Sequence, residues 1–228
     1  MRINKYLSDS GFCSRRKADK LIADKKVMIN NHIAEIGEQV NENDDVFVDG
    51  ILIKPRSSDT IIAFNKPVGS ICTTDPKANN TVFDYIGSEK RLFYIGRLDV
   101  ASSGLMLFTD NGDLANKIAH PSSKHEKEYI VTVDKPYDRK FINQMRQGVI
   151  LRDGKTKPAL FKKISSTRFR LIITEGRNRQ IRRMCEALGY KVKKLKRVRI
   201  INIKLGDLGE GNWRHLSKKE RRRLLEVI

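Results

Sequence analysis

The chain contains few of the residues that build metal centres and disulfide frameworks. Its 228 residues include three cysteines, Cys13, Cys72 and Cys185, and four histidines. The cysteines are far apart in the sequence, and they form no Cys-x-x-Cys pair. We therefore expect neither a zinc site nor disulfides, and isolated cysteines are typical of a reducing, cytoplasmic setting. We also expect no cofactor, because the glycine motifs that bind nucleotides are missing.

Long apolar segments are missing as well. No run of about 18 apolar residues occurs, so we expect no membrane span. The N-terminal residues Met1 to Lys5 have no apolar core of the kind that signal peptides contain.

Acidic residues are scarce in comparison with basic ones. The chain has 27 Asp and Glu against 46 Lys and Arg, which gives a formal net charge of +19. Such a charge attracts polyanions, so nucleic acid is the leading candidate partner, with an anionic membrane a distant second. A merely basic protein without such a partner is the alternative. Self-repulsion at this charge favours a monomer.

The pattern of residues predicts a small basic module followed by a larger domain. We expect the module over residues 1–55, a linker over 56–60 and the second domain over 61–228. In the module, Ser14 is a suitable N-cap for a helix whose outer face is basic. Short strands are expected at Val27–Ile29 and Val46–Val48.

The second domain has more predicted strands than helices, and the two do not alternate strictly. This order favours an α+β class with a mostly antiparallel sheet over a doubly wound one. The segment from Gly176 to Arg199 holds ten Lys or Arg and one acid. Within it, the apolar residues Ile181, Met184, Cys185 and Leu188 are spaced as on one face of a helix. A strand is expected afterwards, over residues 200–205.

Asp99 is the first candidate for a catalytic residue. It follows a turn, Gly96-Arg97-Leu98-Asp99, and precedes a strand that is expected to be buried. A carboxylate can act as nucleophile, general base or metal ligand. An aspartate after a turn is more often structural, but an arginine from the segment after Gly176 could keep this one ionised and oriented.

Two further segments allow a functional interpretation beside a structural one. Tyr129 opens a strand and could offer its ring to an unstacked base, although an ordinary strand aromatic is the simpler interpretation. The Lys66-Pro67-x-Gly69 segment could bring the backbone close to a ligand or could be a plain turn.

Taken together, these motifs resemble the pseudouridine synthases of the RsuA type, which isomerise uridine in ribosomal RNA. Arg2-x-x-Lys5-Tyr6-Leu7, Ser14-Arg15-Arg16-x-Ala18 and Val27-x-Ile29-Asn30 resemble an S4 RNA-binding domain. Gly96-Arg97-Leu98-Asp99 with Ser103-Gly104-Leu105 is the most specific motif of the family. Asn65-Lys66-Pro67-x-Gly69, Lys127-Glu128-Tyr129, Glu175 to Met184 and Lys194-Leu195-x-Arg197 match its other motifs.

The resemblance implies an α+β fold in which a small α/β S4 domain precedes a catalytic domain with a mostly antiparallel, mixed sheet. It implies that the catalytic residues are Asp99, Tyr129, which packs on the target base, and Arg182, which pairs with the aspartate. The residues implied to bind the substrate are Arg97, Lys66, Arg177, Arg179, Arg183, Leu195 and Arg197. Those implied to bind RNA in the S4 domain are Arg2, Lys5, Ser14, Arg15, Arg16, Lys17 and Lys20.

One departure and one refinement accompany the resemblance. The family usually has a glycine shortly before the first strand of the S4 domain, whereas this chain has Lys25 and Lys26. Residues 125–136 look most like the RluF subgroup, which acts on large-subunit RNA; transfer RNA is a further possible substrate. The sequence leaves two rivals: a non-catalytic S4-containing RNA-binding or ribosome-assembly protein, and a metal-dependent nuclease, which needs more clustered carboxylates.

Overall fold

The computed structural model describes residues 1–54, 60–75, 77–88 and 91–228. The linker expected at 56–60 lies, apart from Thr60, outside the described residues. Contacts divide the chain into two compact units. The first contains residues 1–60, 88–93 and 109–114, and the second contains 61–87, 94–108 and 115–228.

The first unit is a small α/β fold built from two helices and a four-stranded antiparallel sheet. Its helices are Ile3–Asp9 (α1) and Arg15–Ala23 (α2). Its strands are Val27–Ile29 (β1), His32–Ile33 (β2), Val46–Val48 (β3) and Ile51–Ile53 (β4), in the order β2-β1-β3-β4. Apolar residues of both helices and the sheet form one buried cluster.

The local signals read from the sequence of this unit are confirmed. Ser14 caps α2, where its side chain accepts a hydrogen bond from the Lys17 amide at 3.2 Å. Lys25 has a φ of +56°, so it adopts the left-handed conformation that a glycine usually supplies at such a turn. The lysine therefore keeps the turn that leads into β1.

The rest of the chain is organised on a nine-stranded mixed sheet. Its strands and those of an accompanying hairpin are Ile61–Lys66 (β5), Phe93–Ile95 (β6), Ser103–Thr109 (β7), Lys127–Val133 (β8), Ile150–Leu151 (β9), Gly154–Lys155 (β10), Leu160–Lys163 (β11), Arg168–Ile173 (β12), Val192–Ile200 (β13), Ile203–Lys204 (β14) and Trp213–His215 (β15). The main path runs β11-β12-β8-β13-β7-β5-β15; β14 pairs with β13 and β6 pairs with β7. The two short strands β9 and β10 form the separate hairpin.

Five α-helices accompany these strands among the described residues. They are Val82–Ile86 (α3), Gly112–Ala119 (α4), Arg139–Gln147 (α5), Gln180–Ala187 (α6) and Lys218–Leu225 (α7). The pairs along β8, β12 and β13 are antiparallel, whereas β13 and β7 are parallel. The predicted α+β class with a mostly antiparallel, mixed sheet is confirmed.

One strand prediction is wrong. The sequence indicated a strand over residues 200–205, but β13 already begins at Val192, and the chain turns back at Ile201, which has a φ of +52°. This strand is not evident from the sequence, because lysines alternate with Leu195 and Arg197, which are both buried. A strand with one solvated face accepts charges at every second position.

The parallel pair of β13 and β7 depends on Gly104. A Cβ atom at this position would lie 2.2 Å from the Arg197 carbonyl oxygen and 2.7 Å from its amide nitrogen. The φ of Gly104 is +105°, which side-chain-bearing residues rarely adopt. The glycine thus allows β7 to approach β13 closely, five residues after Asp99.

We predict that Gly104→Ala destabilises the protein strongly. The added methyl group forces the two strands apart and strains the backbone, so the free energy of unfolding should fall by at least about 3 kcal/mol. Urea unfolding measures this change. Gly176→Ala is the matched control: its Cβ would contact nothing within 4 Å and its φ is not positive. Equal effects of the two substitutions would contradict the prediction.

Candidate active site

Asp99 lies in the loop between β6 and β7 and is held there by backbone hydrogen bonds. The Ser102 amide donates to the Asp99 carbonyl at 3.0 Å, and the Gly69 amide donates to the Val100 carbonyl at 2.8 Å. The side chain of Asp99 is 31% exposed. The backbone at Asp99 is therefore held in place, while its carboxylate remains accessible to a ligand.

Lys66 donates hydrogen bonds to the backbone of this loop. Its side chain is completely buried, and its ammonium donates to the carbonyls of Pro67 at 2.9 Å and Ser102 at 3.0 Å. Burial lowers the pKa of this lysine, while Asp99 and Cys72 act in the opposite direction. The resemblance implied that Lys66 binds the substrate; its burial instead indicates that it positions the loop.

Cys72 was not singled out from the sequence, yet it also contacts the Asp99 loop. Its Sγ atom donates to the Leu98 carbonyl at 3.3 Å. An isolated cysteine gives no sequence signal for such a contact. The Asp99 loop is thus held by groups from the residues that follow β5 as well as by its own bonds.

Arg182, on α6, is the arginine that faces Asp99. Its Nε atom lies 3.9 Å from the Asp99 Oδ2 atom. Its Nη2 atom donates to the Ala101 carbonyl at 2.8 Å and to the Ser102 hydroxyl at 3.2 Å, and its Nη1 atom donates to the Val192 carbonyl at 3.2 Å. The guanidinium is therefore immobilised through its two terminal nitrogens.

The Nε atom of Arg182 is buried and has no hydrogen-bond partner among the described residues. It is the atom of the guanidinium that lies near the carboxylate, at a distance longer than a hydrogen bond. Burial lowers the pKa of Arg182, and neighbouring Arg179 adds to this effect, whereas Asp99 opposes it. The guanidinium therefore attracts the carboxylate electrostatically, but no bidentate hydrogen bond fixes the carboxylate in one position.

Two other arginines of this segment bind the β9–β10 hairpin. Arg177 donates to the carbonyls of Asp153, Gly154 and Lys155 at 2.8 to 3.1 Å. Arg183 contacts both carboxylate oxygens of Asp153, at 2.9 and 3.1 Å. Both were implied to bind substrate; the structure shows their guanidinium groups engaged with the hairpin, a partner that the sequence did not reveal.

Arg97 and Arg179 are the exposed arginines of the candidate site. Arg97 lies two residues before Asp99 in the same loop. Arg179 is the N-cap of α6 and has a left-handed φ of +48°. Both are accessible to an anionic ligand.

A row of paired residues crosses the sheet from β7 to β8. Gly104 on β7 pairs with Arg197 on β13, which pairs with Tyr129 on β8. Two strand spacings separate Gly104 from Tyr129, which corresponds to about 10 Å. Tyr129 is 7% exposed, so little of its surface is available to a ligand.

Arg197 and Leu195 are buried in the same strand. Arg197 is 2% exposed, its Nε donates to the Leu105 carbonyl at 2.7 Å, and its Nη2 has no partner among the described residues. Leu195 is 7% exposed. The resemblance implied that both residues bind the substrate. The structure shows that Arg197, like Lys66, donates a hydrogen bond to the backbone, in this case near the start of β7.

The residues of the first unit that the resemblance implied to bind RNA differ in their availability. The exposed ones are Arg2, Ser14, Arg15, Arg16, Lys17 and Lys20, with Ser14 serving as the cap of α2. Lys5 instead forms ion pairs with Asp9 and Asp113. Its charge is therefore largely compensated within the unit.

Two structural features bear on the classes considered from the sequence. Within the described ranges, no group of three or more His, Cys, Asp and Glu side chains is arranged to hold a metal ion. No helix in the same ranges combines the length and apolar character that crossing a bilayer requires.

Two family models and several relatives match this chain. The model of the RNA pseudouridylate synthase family matches residues 60–187, and that of the S4 domain matches residues 1–46. The dual-specificity RNA pseudouridine synthase RluF of Escherichia coli (strain K12) is 46% identical over all of this chain and 79% of its own length. The ribosomal large subunit pseudouridine synthase B of Yersinia pestis is 36% identical over all of this chain and 76% of its own length.

A solved structure supports the same grouping. A crystal structure of a pseudouridylate synthase superposes with a TM-score of 0.72 at 31% sequence identity, covering 98% of this chain and 99% of the other.

We predict that Lys66→Met loosens the Asp99 loop. Methionine fills a similar volume but cannot donate to the carbonyls of Pro67 and Ser102, and each lost hydrogen bond in a buried site costs about 1–3 kcal/mol. Hydrogen exchange at the Gly69 and Ser102 amides should accelerate at least about tenfold. Lys163→Met, at an exposed position of β11, is the control. Unchanged exchange at both amides would show that Lys66 does not support the loop.

Proposed function

We propose that this chain, which belongs to the RNA pseudouridylate synthase family, isomerises uridine to pseudouridine in ribosomal RNA with Asp99 as the catalytic carboxylate. The chain is an RNA pseudouridine synthase by its family. The proposal concerns the roles of Asp99 and the other site residues, and the class of RNA that is modified. The observation that carries the proposal is the pair of Asp99 and Arg182, an accessible carboxylate beside an immobilised guanidinium.

The first step is extrusion of the target uridine, because its C5 atom is inaccessible in stacked RNA. Unstacking costs a few kcal/mol, which phosphate contacts offset. Arg97 and Arg179 are exposed and suited to such contacts. Tyr129 packs on the extruded base during the reaction.

Asp99 then promotes cleavage of the bond between N1 of the base and C1′ of the ribose. It acts as a nucleophile or by removing a ribose proton, and both roles require the ionised carboxylate. The freed uracil rotates, C5 bonds to C1′, the proton on C5 leaves and N1 gains a proton. The Arg182 Nε atom lies 3.9 Å from the Asp99 Oδ2 atom, so a positive charge faces the carboxylate without occupying its oxygens.

Lys66, Arg197, Arg177 and Arg183 contribute by positioning. Each donates to backbone carbonyls or to Asp153, and together they fix the Asp99 loop, β7 and the hairpin. These contacts preorganise the site, so that little reorganisation is needed when charge develops.

The finer assignments belong to the same proposal. Residues 1–55 anchor the RNA, and residues 61–228 carry out the isomerisation. Two relatives suggest the substrate: one is named for the large ribosomal subunit and one for dual specificity. We infer large-subunit RNA as the substrate, with a cytoplasmic, monomeric enzyme that needs neither metal nor cofactor.

We predict that Asp99→Asn abolishes turnover and leaves RNA affinity unchanged. The amide cannot act as nucleophile or base, whereas the phosphate contacts remain. Tritium release from RNA containing 5-tritiated uridine measures turnover, and filter binding measures affinity.

Asp138→Asn is the matched control for this substitution. Asp138 caps α5 by accepting from the Phe141 amide at 2.7 Å, and asparagine caps equally well. Its activity should equal that of the wild type. Tritium release by Asp99→Asn at the wild-type rate would refute the assignment of Asp99, and a wild type that binds RNA without release would be a non-catalytic RNA-binding protein.

We predict that Arg15→Ala/Arg16→Ala weakens RNA binding through lost phosphate contacts. The slope of log K against log [salt] should become shallower by about 1.4 to 1.8, since each contact contributes about 0.7 to 0.9. Turnover at saturating RNA should not change. The control Arg139→Ala/Lys140→Ala removes two exposed charges from α5. An unchanged slope in the Arg15 and Arg16 variant would exclude this helix from the RNA interface.

A further inference from the structure

A basic groove lies on the open face of the large sheet, away from Tyr129. It has a volume of about 700 Å³. Its cationic lining residues are Arg168, Arg170, Lys196, Arg199 and Lys204. Ile130, Val198 and Leu205 provide an apolar floor.

Strand alternation places this groove on the face opposite to Tyr129 and Arg197. Tyr129 and Arg197 are buried on one face, and their neighbours Ile130 and Lys196, which line the groove, point to the other. The buried face packs against α5, where Phe141 contacts Phe161 and Phe169 edge-on. The groove face carries no such cover among its lining residues, which are half-buried or exposed apart from Leu205.

The cations form rows that follow the sheet register. Lys162, Arg170, Ile130 and Lys196 are paired in sequence across β11, β12, β8 and β13. Arg168 lies two residues from Arg170 on the same face, about 7 Å away along the strand. The row therefore repeats positive charge both along and across the strands.

Acidic groups compensate only part of this charge. Glu128 binds Arg170 at 2.6 Å and Arg199 at 2.9 Å, and Glu126 binds Arg199 at 2.9 Å. Within the described chain, the side chains of Arg168 and Lys204 form no ion pair or hydrogen bond. Two cations in the groove are thus available for an external anion.

We propose that this groove binds the sugar–phosphate backbone of RNA at a second site, separate from the active site. Phosphates are the anions that clustered Arg and Lys contact most often in nucleic-acid complexes, and the apolar floor suits ribose. A single phosphate ester would need only one of these cations, whereas rows spread over four strands match a polyanion. An acidic protein segment has the same sign of charge and is the competing occupant.

This proposal rests on the proposed function only in naming RNA as the polyanion. A substrate longer than the few nucleotides around the target uridine extends past the active site. The groove would hold such a flanking part, and would raise affinity without touching the reacting atoms.

The test removes the two unpaired cations with Arg168→Ala/Lys204→Ala. With transcribed large-subunit ribosomal RNA as the probe, filter binding should show a slope of log K against log [salt] that is shallower by about 1.4 to 1.8. The Kd at moderate salt should rise roughly tenfold or more. Tritium release at saturating RNA should keep the wild-type kcat, with a raised KM.

Two further variants make the result specific. Arg139→Ala/Lys140→Ala removes one arginine and one lysine from the opposite side of the sheet and should leave the slope unchanged. Arg168→Lys/Lys204→Arg keeps both charges and should bind like the wild type; a loss there would overturn an electrostatic role.

An unchanged Kd and slope in Arg168→Ala/Lys204→Ala overturns the proposal. Loss of poly-glutamate binding together with unchanged RNA binding would overturn it in favour of an acidic protein partner. If the wild type released no tritium, the proposed function would fail, yet the slopes would still decide whether the groove binds RNA.

Discussion

The contact of the Arg182 guanidinium with two distant segments is the constraint on which the candidate site depends. One side chain binds the carbonyls of Ala101, in the Asp99 loop, and Val192, at the start of β13. Because the terminal nitrogens are occupied by backbone, the Nε atom remains to face the carboxylate. The arginine thus sets both where the loop lies and what charge the aspartate experiences. A lysine could not replace it, since a single ammonium lacks the planar fork of donors.

Buried cations recur in this fold as supports for backbone. Lys66 and Arg197 are nearly or completely inaccessible, and both donate to carbonyls rather than to carboxylates. Burying a charge in this way is costly unless hydrogen bonds compensate it. These buried cations lie around the strand that follows the Asp99 loop, where small displacements would move the Asp99 carboxylate. A large net positive charge therefore serves two purposes here, polyanion binding at the surface and internal positioning.

Local signals in the sequence predicted much of the fold. Ser14 begins its helix as expected, because caps are encoded within a few residues. The family motifs implied that Arg182 pairs with Asp99, and the Arg182 Nε atom lies 3.9 Å from the Asp99 Oδ2 atom. The sequence could not show that Arg177 and Arg183 bind a hairpin 20 to 30 residues away, since long-range partners leave no local pattern. It also concealed β13, whose alternating lysines resemble a solvated loop.

The parallel contact between β7 and β13 has a consequence for biosynthesis. The Arg197 bond to Leu105 spans 92 residues, and the Arg182 bond to Ala101 spans 81. Contacts of such long sequence separation form late, because closing a long loop costs entropy before any contact compensates it. While the ribosome is still translating the segment before β13, the nascent chain has Asp99 and Lys66 but lacks Val192, which binds Arg182, and Arg197, which binds β7. We therefore expect the emerging polypeptide to complete its candidate site only when nearly all of it has left the exit tunnel.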